Sequence, residues 1–192
     1  MKRAAILMFA GILFYAPVRA QNNLQKILDV IEYHGVYTQS NNTLVVLDST
    51  ANHLHLEIAD FFNSSLTESE MIEVVRRNMI HHVYLIFTYS DTEALTLTSR
   101  PLVHDRYTGK VVAPRLLRHS IFLNRKDAIA MVQKYFNFTD TRYLFTSEDP
   151  DLKSPTYPSR YLESMLYQGR GEPGLHSIYQ ELIYPHLFSD LK

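Results

Sequence analysis

The strongest local pattern in the chain runs from His82 to Ser99. Its first half, His-Val-Tyr-Leu-Ile-Phe-Thr-Tyr, is a dense run of β-branched and aromatic residues. Ser-Asp-Thr-Glu follows, and then Ala-Leu-Thr-Leu-Thr-Ser, in which Leu95 and Leu97 alternate with Thr96 and Thr98. Two strand-like runs around a short polar cluster predict an antiparallel hairpin, placed at the middle of a sheet.

Elsewhere the period is mostly helical. Leu24, Ile27, Leu28 and Ile31 predict a helix over 24–34, with Asn22 or Asn23 at its start and Gly35 past its end. Val36 to Gln39 and Thr43 to Leu47 read as two short strands around Ser40-Asn41-Asn42. Residues 49–62 carry two competing patterns. Ala51, Leu54, Ile58 and Phe61 share a helix face, whereas His53-Leu54-His55-Leu56-Glu57-Ile58 alternates like a strand. The helical face spans more residues and sets the expectation of helix. Thr67 with Glu70 forms a capping box ahead of Met71, Val75, Asn78, Met79 and His82 on one helix face. After the hairpin, Leu102 to Asp105 is extended, Tyr107 to Lys110 is a turn built on Gly109, and Leu117 to Leu123 is a strand. Asn124 caps a third helix with Ile129, Val132 and Phe136 on one side, and Arg142 to Thr146 reads as one more strand.

From Ser147 to Ser159 three prolines exclude a helix or a central strand, so 147–159 is a long loop. Short helical patterns over Arg160–Tyr167 and Leu175–Tyr184 then form a tyrosine-rich extension, 160–192, of the core domain at 21–146. The order of elements predicts an α+β fold: an antiparallel sheet of hairpin and meander type with helices packed on it, followed by an irregular helical C-terminal extension.

The first twenty residues change this picture. Lys2 and Arg3 precede an apolar run from Ala4 to Ala16, and Val18-Arg19-Ala20 ends on a small residue, the pattern of a secretory signal peptide cleaved after Ala20. The run falls short of the ~20 residues that span a bilayer, so no stable membrane anchor is expected after cleavage. Removing Lys2, Arg3 and Arg19 leaves 16 basic against 20 acidic residues, a formal charge of −4. Nucleic acid is not the expected partner of such a chain. Asn41, Asn63 and Asn137 each begin an Asn-x-Ser/Thr glycosylation pattern. The absence of cysteine from an exported chain weighs instead toward a bacterial periplasm or exterior.

Four groups of residues suggest chemistry. In a strand, His53, His55 and Glu57 would point to one face and, with His81 or His82, resemble a zinc ligand set; the plainer reading is solvated surface residues. Glu148, Asp149 and Asp151 read as an acidic turn, and Gly169-Arg170-Gly171 lacks the setting of a phosphate loop. There is no Gly-x-Ser-x-Gly elbow, and no motif specifies a reaction. Arg115, Arg118 and His119, near Lys110 and Arg125, could grip an anionic ligand or an acidic surface, or simply protect a strand edge. Finally, Tyr143, Tyr157, Tyr161, Tyr167, Tyr179 and Tyr184, with Phe188, crowd the last fifty residues; tyrosine is enriched where proteins bind one another.

The expectation is therefore an exported, non-catalytic binding protein of the bacterial cell envelope that uses no cofactor. Its partner would be another envelope or secreted protein, met by the proline-rich loop and the tyrosine-rich segment. A periplasmic metal-dependent hydrolase with zinc on His53, His55 and Glu57 is the alternative, and a carbohydrate-binding module the third reading.

Overall fold

The computed structural model describes residues 24–33, 36–50, 52–147, 155–167 and 174–183. The signal-peptide segment, the acidic turn at 148–151, Gly169 to Gly171, Tyr184 and Phe188 lie outside these residues. The fold is α+β. In chain order the elements are helix α1 (residues 24–32), strands β1 (Leu44–Ser49), β2 (His53–Ile58) and β3 (Phe61–Asn63), and helix α2 (Glu68–Tyr89). Strands β4 (Ala94–Ser99), β5 (Leu102–His104), β6 (Val111–Val112) and β7 (His119–Asn124) follow, then α3 (Arg125–Phe136), β8 (Phe145–Thr146), β9 (Tyr157–Pro158), α4 (Arg160–Leu166) and α5 (Gly174–Ile183).

The main correction concerns His82–Tyr89, which is the last part of α2 and not a strand. The predicted hairpin therefore does not form, and only its second half, β4, is a strand. Helix α2 begins amphipathic: Met71, Val75 and Met79 are buried while Glu68, Glu70 and Glu73 face solvent. Its second half is covered on every side, with Ile80, His82, Val83, Tyr84, Leu85, Ile86 and Phe87 all buried. A helix without a polar face has no 3.6-residue signal to read, and its β-branched and aromatic content then imitates a strand.

The neighbours of α2 explain its burial. Ile27, Val30 and Ile31 of α1 lie against Leu85, Ile86 and Tyr89. The Tyr84 hydroxyl donates to the Ala128 carbonyl of α3 at 3.2 Å. Thr88 bonds Thr141 at 2.8 Å, and Tyr89 donates to the Pro155 carbonyl. Leu162, Met165 and Leu166 of α4 and Ile178, Tyr179 and Leu182 of α5 complete the same apolar cluster as the sheet's inner residues. Both predicted C-terminal helices are thus packed on the core.

The main sheet has the order β1-β2-β4-β7. β1 pairs antiparallel with β2 and β7 antiparallel with β4, but β2 and β4 run parallel, joined by the crossover that contains α2. The sheet is mixed where a purely antiparallel one was expected. Within 49–62 the alternating pattern prevails over the expected helix: Leu54, Leu56 and Ile58 face α2, and His53, His55 and Glu57 take the opposite face. Parallel pairing with β4 on one side and antiparallel pairing with β1 on the other supply backbone partners that an isolated periodicity cannot anticipate.

Three smaller expectations also change. Residues 36–39 are not a strand; the Thr43 hydroxyl, buried in the turn, donates to the Val36 carbonyl at 3.0 Å and accepts from the Thr38 amide at 2.8 Å. Arg142–Leu144 belongs to a 3-10 turn, Thr141–Leu144, and only two strand residues follow. Asn124 occupies the N-cap of α3 without a side-chain cap bond. The Thr67–Glu70 capping box, in contrast, is present with both of its bonds.

The sheet bends beyond β2 and β4. Arg100 N donates to Ile58 O and Leu102 N to Asp60 O, both at 2.7 Å, so β3 and β5 continue the parallel pair on the far side of Pro101. The Asp60 carboxylate, 5% exposed, sits in this bend. It accepts from the Tyr37 hydroxyl, from Asn78 Nδ2 at 2.7 Å and from Ser99 Oγ at 3.2 Å. Burial, and then the Asp60 charge, pushes the Tyr37 hydroxyl well above the usual tyrosine range and keeps it a donor. At the C-terminal end of α2, Arg125 donates to the carbonyls of Thr92 (2.9 Å), Ser90 (2.6 Å) and Phe87. A guanidinium on the last carbonyls of a helix also opposes its dipole.

Asp60→Ala removes the acceptor of two buried donors, Tyr37 and Ser99, and of the partly buried Asn78, and is expected to cost about 3 kcal/mol, and Arg125→Ala about 2 kcal/mol. Urea unfolding measures both; a loss below about 0.5 kcal/mol for Asp60→Ala would show that the network is not a tie between elements.

Candidate interaction surface

The face of the main sheet turned away from α2 is open. His53, His55 and Glu57 do lie on it in a row, but each is already engaged. His53 Nε2 meets Thr96 Oγ1 at 2.9 Å and His55 Nε2 meets Thr98 Oγ1 at 3.1 Å, with Ser120 Oγ a further 3.0 Å from Thr98. The buried Glu57 carboxylate is clamped between two guanidinium groups, Arg100 Nε on one oxygen and Arg118 Nη2 on the other, both at 2.7 Å. His81 and His82 are on α2, behind the sheet. His81 contacts the Thr156 carbonyl at 3.0 Å, and His82 Nδ1 lies 2.7 Å from the Asn78 carbonyl, with Tyr37 edge-on to its ring. The sheet separates the two histidine pairs, and among the described residues no group of three His, Cys, Asp or Glu is placed to hold a metal ion. This donor set does not fit zinc.

The tyrosines divide. Tyr179 is 2% exposed and lies beneath the Arg76 guanidinium, 4.8 Å from its ring centroid. Tyr161 is half-buried in an aromatic cluster where Phe138 meets Tyr143 at 71° and Tyr161 at 74°. Edge-to-face rings satisfy one another and do not form the flat platform on which a sugar stacks. Tyr167 is exposed with Arg77 over its ring, and Tyr157, also exposed, lies in β9 opposite Thr146 of β8, a two-stranded pair apart from the main sheet. Arg125 takes no part in the basic group, being bound to the end of α2.

The basic group itself belongs to an arm that grows out of the bent sheet. β5 and β6 form its two sides, with Val103 opposite Val112 and His104 opposite Val111. Its tip is a fixed turn. Asp105 Oδ1 accepts from the Tyr107 and Thr108 amides at 2.8 and 3.2 Å, Gly109 N donates to Asp105 O at 2.8 Å, and Gly109 takes φ +68°. The two amides hold the Asp105 carboxyl below the usual carboxylate range. Phe62, Val103 and Leu117 bury the arm's base, and the Arg118–Glu57 pair pins its return.

Beyond that base the arm is bare. Tyr107 is 97% exposed and Leu116 80%, and Val111 and Val112 are also exposed; Phe61, on the neighbouring strand β3, adds 62%. Between 106 and 118 stand Arg106, Lys110, Arg115 and Arg118 and no acidic residue, in a chain of formal charge −1. Arg115 and Arg118 were legible as candidates; Phe61, Tyr107, Val111, Val112 and Leu116 were not. The signal that would have found them is the pairing of apolar residues with four cations and no anion in one turn-centred segment.

His119, the third residue of that group, points elsewhere. It is half-buried at the start of β7, edge-on to Tyr179 with ring centroids 6.1 Å apart. Burial, and then the Arg76 charge, pulls its pKa below the ordinary 6.5. The unfolded chain therefore binds this proton more readily than the folded one. The contribution of His119 is intact above pH 6.5 and is lost as pH falls through the lowered folded value. Stability measured by urea unfolding is expected to fall more steeply between pH 7 and about 5 in the parent than in His119→Gln; identical slopes would show that the imidazole is equally free to ionise in both states.

No protein family, no curated protein and no solved structure matches this chain, so its functional reading rests on the geometry of its own residues.

Proposed function

We propose that the chain is an exported, non-catalytic binding protein of the bacterial cell envelope, periplasmic or secreted, whose contact element is the arm over residues 105–118. The observation that carries this reading is the arm itself. Exposed tyrosine, valine and leucine side chains stand among cations on a turn whose shape is set by its own hydrogen bonds. Tyr107 and Leu116 are the most exposed large apolar side chains among the described residues, and contiguous exposed apolar residues mark interaction sites. A preformed turn loses little entropy when it binds.

Two further features support the reading. The N-terminal twenty residues have the charge, length and end residue of a cleaved export signal. The polar side chains that sequence suggested as metal ligands are bonded to threonines and arginines, which leaves the alternative hydrolase without a ligand set. The tyrosine-rich segment contributes Tyr157 and Tyr167 at the surface, while Tyr179 serves the core.

A photo-crosslinking amino acid at Tyr107 is expected to capture an envelope component in the native host, with no capture from Gln133 on the exposed side of α3. Equal labelling from both positions would sink the arm as contact element. Mass spectrometry of the chain recovered from that host is expected to find Gln21 as its first residue; retention of residues 1–20 would overturn the export reading.

A further inference from the structure

We propose that the arm docks on an anionic lipid surface, an inference that rests on its being the binding element. Register decides between a protein pocket and a lipid interface. Val112 pairs with Val103 and so lies on the sheet face that packs inward at the base, whereas Val111 pairs with His104 and lies on the opposite face with Phe61. Tyr107 projects from the tip, and Leu116 stands on the return beyond Pro114. The exposed apolar groups therefore surround the arm. A pocket on a protein clasps one face of such a hairpin and leaves the other in water. The boundary between headgroups and acyl chains receives all of them at once, because it wets an inserted loop from every side.

The charges complete the match. Arg106 and Lys110 flank Tyr107 at the tip and Arg115 is the sequence neighbour of Leu116, all exposed, so cations stand beside the apolar side chains, where flexible stems let them meet lipid phosphates. No acidic side chain between 106 and 118 opposes an anionic surface, and Asp105, which opens the tip turn, has its carboxylate engaged by the backbone amides of Tyr107 and Thr108. Among the described residues no helix is long and apolar enough to cross a membrane. The contact is peripheral: a short apolar loop plus a few cations gives reversible binding that weakens with salt.

The test uses the exported chain with sedimentation against two kinds of vesicle, pure phosphatidylcholine and phosphatidylcholine mixed with phosphatidylglycerol. Binding to the mixed vesicles alone is expected. Removing a cation should weaken it roughly fivefold, so Arg106→Gln with Lys110→Gln and Arg115→Gln weakens it about a hundredfold. Lys26→Gln with Lys126→Gln, exposed cations away from the arm, leaves it within about twofold. Tyr107→Ser with Leu116→Ser lowers binding at constant charge, which a purely ionic attraction would not show. These positions are exposed, and an unchanged unfolding midpoint confirms that the variants fold. Equal binding to both vesicle types, or loss of binding in the Lys26 and Lys126 control, overturns the proposal. Absence of vesicle binding with an arm-dependent crosslink to an envelope protein overturns the lipid assignment and leaves the binding reading standing. Absence of both overturns both.

Discussion

The burial of the second half of α2 on all sides is the constraint from which the rest of the architecture follows. A helix of 22 residues, about 33 Å long by the ordinary rise, occupies the middle of the molecule, and the sheet covers only one side of it. The remaining sides must be closed by α1, α3, α4, α5 and the segment that carries β8 and β9. This is why the C-terminal region is part of the core despite its proline-rich approach. It also explains the treatment of the helix ends. The N-terminus lies near solvent and is capped by Thr67 and Glu70, neighbours in sequence; the C-terminus is enclosed, and its carbonyls are met by Arg125, which arrives from the start of α3.

Two carboxylates divide the polar work of the fold. Asp60 lies where the parallel strands bend, and its three donors come from the turn before β1, from α2 and from β4, so it ties the helix to the sheet at a point where regular pairing is interrupted by Pro101. Glu57, three residues earlier and on the open face, balances Arg100 and Arg118 and thereby holds the return of the arm against the sheet. Neither carboxylate is free to act as a general base or a metal ligand without giving up a bond that orders the structure. The result is a tied scaffold from which the arm presents the two most exposed large apolar side chains of the described residues, Tyr107 and Leu116, among Arg106, Lys110 and Arg115.

Much of the local structure was legible from residues. The capping box at Thr67, the alternation of Leu95 and Leu97 in β4, the turn on Gly109 and the helices at α1, α3, α4 and α5 all come from interactions within a few residues of one another. The failures have the opposite character. His82–Tyr89 has the pattern of a strand because full burial erases the polar face that identifies a helix. Over 49–62 the helical face outweighs the strand alternation of 53–58 in the sequence, because the partners that make 53–58 a strand, β1 and β4, lie up to forty-odd residues away. Of the candidate site residues, Arg115 and Arg118 stay at the surface, whereas Tyr179 and Arg125 are taken up by the core and by the end of α2, which only their packing reveals.

The amino-acid sequence by itself determined the fold class, the cysteine-free core, the helix start at Thr67 and the turn that shapes the arm, because each depends on composition or on contacts between near neighbours. Tertiary structure alone decided the parallel register of β2 and β4, the central position of α2, and the engagement of His53, His55 and Glu57 by threonine and arginine. It also decided which apolar residues remain in water. Those outcomes depend on which distant segments meet, and burial and hydrogen-bond partners are properties of the meeting rather than of the residue.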